Sequence, residues 1–69
     1  MKNDIQILNE VNLSKLDQFE YMLYCNFIEK SNMNKAEALT TIINHYIDDI
    51  YQLSPVLRRI AKKFLTTKI

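Results

Sequence analysis

Leu39, Ile42, Ile43, Tyr46, Ile47 and Ile50 follow one another at spacings of three and four residues without a gap. Only an α-helix gathers such positions on one face. Thr40, Thr41, Asn44, His45, Asp48 and Asp49 fall on the other side. The pattern predicts a helix over 35–51 that presses one side against a core. Asn34 stands where an N-cap belongs, and Glu37, three residues on, completes a box-like start.

A second helix is predicted from about Lys15 to Lys30, opened by Ser14 and Asp17 as a capping box. Its apolar residues do not form one stripe. Leu16, Phe19, Leu23 and Phe27 share a face, while Tyr21, Cys25 and Ile28 lie roughly opposite. A helix that is apolar on two sides needs covering on two sides. Between the two helices, "KSNMN" contains no glycine, so Asn32 is the residue best able to take a left-handed conformation and cap the helix before it. A third helix begins at "SPVL", with Ser54 as N-cap and Pro55 at the first helical position, where a missing N–H costs nothing. Val56, Leu57, Ile60, Ala61, Phe64 and Leu65 give it an apolar face.

Sixty-nine residues make one small domain, only marginally stable alone, yet 48% of them are hydrophobic. That excess of apolar surface predicts burial against a second chain, and a homodimer is the expectation. The single cysteine, Cys25, excludes an internal disulfide framework and suits a reducing compartment. The opening "MKNDIQIL" lacks the apolar run of a signal peptide, and no segment reaches the length of a membrane span. The expectation is a cytoplasmic protein with no membrane partner. Abundant Lys, Asn and Ile beside scarce Ala and absent Gly suit an AT-rich bacterial, plasmid or phage genome.

Charge divides the chain. Through Leu53 there are four Lys against eight acids, a balance of −4; from Ser54 onward Arg58, Arg59, Lys62, Lys63 and Lys68 stand with no acid, a balance of +5. The C-terminal segment is therefore the candidate contact surface for nucleic acid or an acidic protein surface, and otherwise a solvated helix face.

The first fourteen residues allow two readings. "EVNLS" alternates, with Val11 and Leu13 on one side and Glu10, Asn12 and Ser14 on the other, which predicts a short half-buried strand. Ile5, Leu8, Val11 and Leu16 also fit a backward extension of the helix. The strand is the preferred expectation, because the capping box wants a helix start at Ser14.

A strand, a helix, an Asn-bearing turn and a capped helix opening "MNKAEAL" resemble the ribbon-helix-helix family of MetJ- and Arc-type repressors, over residues 8–50. The resemblance implies a mainly α fold: an intertwined dimer with residues 1–53 as the ribbon-helix-helix domain. Residues 54–69, outside the resemblance, are expected to add a basic amphipathic C-terminal helix packed on the same domain. The alternative is an all-α small helical bundle. The resemblance also implies a function, a small homodimeric transcriptional regulator, repressor-like and plasmid- or phage-encoded, that binds double-stranded DNA sequence-specifically. Paired strands would enter the major groove with Glu10, Asn12 and Ser14 at base edges. Val11, Leu13, Leu16, Phe19, Leu23, Ile42 and Tyr46 would form the dimer interface. Asn34 and Lys35 would hold a phosphate at a helix start, and Arg58, Arg59, Lys62 and Lys63 would add phosphate contacts.

The remaining residues point to structure. His45 is read as an exposed histidine beside Asp49, Cys25 as a small core hydrophobe, and the Tyr and Phe residues as core. Asp48 and Asp49 lie near a helix C-terminus, where acids are unfavourable, and are candidates to answer Arg58 or Lys62. One His and one Cys make no metal site. With no Gly-rich loop and no nucleophile beside a base, the chain is not expected to be an enzyme or to hold a cofactor. The rival to a DNA-binding regulator is a protein-binding module such as an antitoxin, a conjugation accessory protein or a phage inhibitor of a host protein. Both roles together, with the C-terminal helix docking a second protein, form a third reading.

Overall fold

The computed structural model describes residues 4–67, with side chains through Phe64. Lys68 and the side chain of Leu65 lie outside the described residues. Four α-helices follow in order: α1 Asp4–Asn9, α2 Gln18–Lys30, α3 Lys35–His45 and α4 Pro55–Thr67. Two 3-10 turns, Leu13–Lys15 and Ile50–Gln52, lead into α2 and α4. The fold is mainly α and corresponds to the all-α alternative.

Among the described residues there is no strand, so the one expected at "EVNLS" is corrected. Residues 4–9 are helical, and Val11 N–H closes on the Leu8 carbonyl at 3.2 Å. The Asn12 side chain then caps the next turn, accepting from Ser14 N–H at 3.0 Å and Ser14 Oγ at 2.7 Å. Every backbone amide needs an acceptor. Within one chain no second strand faces this segment, and local turns supply the acceptors. The alternation survives as a burial pattern, with Val11 buried and Glu10, Asn12 and Ser14 exposed.

The start of α2 is also corrected. Its N-cap is Asp17, whose carboxylate accepts from Glu20 N–H at 2.7 Å while Glu20 Oε1 accepts from Asp17 N–H at 3.1 Å. A glutamate at the third helical position spans the return distance that Asp17, opposite Ser14, is too short to reach. At the start of α3 the box forms as expected, Asn34 Oδ1 accepting from Glu37 N–H at 2.9 Å and Glu37 Oε1 from Asn34 N–H at 3.4 Å. Asn32, at φ 56°, supplies the left-handed turn between α2 and α3.

Helix α3 stops at His45, short of the expected 51. The Tyr46 N–H turns back to the Ile43 and Asn44 carbonyls, and residues 46–48 form a turn. Asp48 and Asp49 follow immediately, where negative charge opposes the helix dipole. The truncated helix is still the hub. It packs against α1, α2 and α4, and Leu39, Ile42 and Ile43 are wholly buried. Leu8, Val11, Leu16, Leu53, Leu57, Ile60 and Ala61 close the same core from the other elements. The radius of gyration, 11.4 Å, matches the roughly 11 Å of a compact chain of this length. One chain therefore closes its own core. Val11, Leu16 and Ile42, expected at a dimer interface, are buried in this core.

Candidate nucleic-acid interface

Helix α4 sorts its residues cleanly. Leu57, Ile60 and Ala61 are buried, and Val56 and Phe64 pack partly against the core. Helical geometry then leaves Arg59, Lys62 and Lys63 on the outer face, where all three are exposed. No acid occurs anywhere from Ser54 onward.

The entry to α4 is held by a residue of α2. Glu20, only 1% exposed, accepts at Oε2 from the Ser54 N–H at 2.8 Å while Oε1 serves its own capping box. A buried carboxylate needs such donors, since an unpaired charge would be very costly. It also stands at the N-terminus of α4, the end at which a helix dipole favours negative charge. Ser54 occupies the expected cap position, but its buried Oγ has no protein partner. The Glu20 side chain does the bonding there.

Arg58 is partly committed to the fold. Its Nη2 donates to the carbonyls of Tyr51 at 3.3 Å and Leu53 at 3.1 Å, closing the 3-10 turn before α4. The guanidinium also lies over the Tyr51 ring, 5.6 Å from its centroid, and Lys62 Nζ stands 5.8 Å from the same centroid. Tyr51 itself is 70% exposed. An aromatic ring is thus fixed at the edge of the basic face, within cation–π range of two of its charges.

The other sequence-derived site residues lie on other elements. Glu10 and Ser14 are exposed in the turns between α1 and α2, and the Asn12 carboxamide oxygen is spent on Ser14. Asn34 is likewise spent as the cap of α3, and Glu37 sets a carboxylate at that helix start, which opposes an incoming phosphate. Lys35 is half-buried there. Asp49 accepts from Gln52 Nε2 at 3.1 Å. His45 sets its ring edge-on to Tyr46, with centroids 5.0 Å apart.

Helix α2 turns apolar side chains outward. Phe19 and Met22 are each 56% exposed, and Tyr21 is exposed beside Tyr24, onto which its ring stacks at 6.5 Å. Burial, followed by the neighbouring Cys25 and Tyr21, raises the Tyr24 phenol above its ordinary range. Cys25 is free and half-buried, less enclosed than a core position. Leu23 and Phe27 border a groove of about 370 Å³ floored by Ile42 and flanked on α3 by Thr41, Asn44 and His45.

Sequence reasoning misses Glu20 and Tyr51. The spacing Asp17–Glu20 carries a capping signal, but the reach to Ser54 crosses 34 positions and leaves no local trace. Tyr51 reads as core only while the residues before it continue an unbroken helix. Among the described residues no cluster of His, Cys, Asp and Glu could hold a metal ion, and no helix is long and apolar enough to cross a membrane. No family model matches the chain, nor does any curated protein or solved structure.

Proposed function

We propose that the chain is a small homodimeric nucleic-acid-binding protein, repressor-like, that grips the phosphate backbone through α4. The observation that supports this is the exposure of Arg59, Lys62 and Lys63 together, on a helix that carries no acid of its own and whose other side is locked into the core. Backbone affinity depends chiefly on how many phosphates are neutralised. Purified protein is expected to retard duplex DNA from the region upstream of its own gene at low salt, with affinity falling steeply as salt rises. Replacing Arg59, Lys62 and Lys63 together by Ala lowers the salt slope by about 0.9 for each duplex phosphate that is no longer neutralised. Absence of any retardation at low salt refutes the reading. Equal retardation of unrelated DNA leaves a backbone binder but removes the sequence-specific regulator.

The second copy is assigned to the outward side of α2. Phe19 lies one turn from Leu23 on the flank that borders the 370 Å³ groove. Two copies with antiparallel α2 helices set each Phe19 toward the partner's groove. Asp17 at one end of α2 then meets Lys30 at the other, and no charge occurs between Tyr21 and Ile28 to oppose the contact. The same face favours the second reading, a protein-binding module of antitoxin or inhibitor type. A monomer in sedimentation that retards no nucleic acid supports that reading and overturns the first.

A further inference from the structure

We infer that Tyr51 is a stacking platform for an unpaired base, so that the α4 face takes single-stranded nucleic acid as well as duplex. The inference rests on the reading of α4 as a phosphate-binding surface and adds the kind of strand it takes. Tyr51 is 70% exposed. The residues of the 3-10 turn around it are not loose. Ile50 packs partly against the core and Leu53 is buried in it. The Tyr51 carbonyl is held by Arg58, and the ring is approached by Arg58 and Lys62, one turn apart on α4. With both cations over the ring, most of the residue's surface still faces solvent. The side chain is therefore pre-set, and the ordering cost on binding is correspondingly small.

Single-strand sites combine two elements: a basic track for the backbone and an aromatic side chain for the base. Both are present here, Arg59, Lys62 and Lys63 along α4 and Tyr51 at its edge. A duplex offers the phosphates but keeps its bases stacked inside, out of reach of a ring on a helical surface. The stacking contribution is independent of sequence, because every base has a π-face. It does not require the base-edge contacts that a ribbon would have made.

The test measures binding of the full chain by fluorescence anisotropy to four labelled probes at low salt. They are oligothymidine, oligouridine, an abasic strand of the same length, and a duplex. Wild type is expected to bind oligothymidine or oligouridine more tightly than the abasic strand, and the tighter of the two assigns the strand to DNA or RNA. Tyr51→Ala is expected to weaken that binding about 5- to 150-fold, the span of aromatic–base stacking, and to leave the abasic strand and duplex unchanged. Tyr51→Phe keeps the ring and is expected to retain wild-type affinity. Unchanged far-UV dichroism of Tyr51→Ala shows that the fold is intact, and the unchanged abasic arm shows that the α4 track is too. The inference is overturned if Tyr51→Ala leaves the base-bearing strands unaffected, or weakens abasic and base-bearing strands alike. Either result spares the phosphate-binding reading. If wild type binds none of the four probes, that reading falls as well.

Discussion

Helices α2 and α4 each have 13 residues and use them in opposite ways. In α4 Leu57, Ile60 and Ala61 are buried, while Arg59, Lys62 and Lys63 are exposed. In α2 the one buried residue is a glutamate, while Phe19, Tyr21 and Met22 stand in solvent. Helix α4 is thus held by its apolar face, and α2 attaches through half-buried side chains and the Glu20 carboxylate. An apolar helix side that the fold does not consume is available to a partner, and a polar group that the fold does consume is a structural fixture.

The largest expected effect lies on the α4 side of this contrast. Leu57 is wholly buried beneath α4, and Leu57→Ala is expected to cost about 2–5 kcal/mol through reduced transfer energy and the cavity left behind. Urea denaturation followed by far-UV dichroism measures it. A loss of about 0.5 kcal/mol or less, the range of ordinary surface substitutions, would mean that α4 is not anchored by its apolar face.

Glu20 is next. Glu20→Ala removes the acceptor of two backbone donors, Asp17 N–H and Ser54 N–H. Leaving the buried Ser54 donor unsatisfied costs about 1–3 kcal/mol. Glu20→Gln keeps one carbonyl oxygen but sets an NH₂ group against the other amide, so it is expected to fall between wild type and Glu20→Ala in the same denaturation experiment. Equal stability of all three proteins would show that the link from α2 to the start of α4 contributes nothing.

The same contrast explains how much is legible in the sequence. Helix α3 and the inward face of α4 are legible because periodicity reports directly on which side of a helix is buried. Asn34, Asn32 and Pro55 are legible because caps and turns depend on residues a few positions apart. Helix α2 is legible only as an anomaly, since two-sided apolarity marks surface in excess and does not name what covers it. The N-terminal segment reads as a strand and is not one. A short alternation such as "EVNLS" describes alternating burial, which a turn and a 3-10 segment also produce when Asn12 supplies the bonds. The site at Tyr51 is hidden because its exposure depends on where α3 stops. The apolar stripe, running on through Ile47 and Ile50, carries no such signal.

The smallest effect on stability is expected at Phe19, and it discriminates most sharply between the two uses of a helix. The side chain is 56% exposed, so in an isolated chain Phe19→Ala removes little buried surface and changes stability by about 0.5 kcal/mol or less. If a second copy covers that face, the folded state is also stabilised by association, and the midpoint of thermal unfolding rises with protein concentration. Wild type is then expected to show this dependence, and Phe19→Asp to lose it while sedimenting as a monomer with unchanged helicity. The two observations separate intrinsic stability from association, which a single unfolding curve cannot do. A midpoint independent of concentration in wild type, with Phe19→Ala as stable as wild type, would mean that no second copy uses the face. The outward apolar side of α2 would then be open to a different protein partner, and retardation of nucleic acid by that monomer would decide whether the basic helix still carries the function.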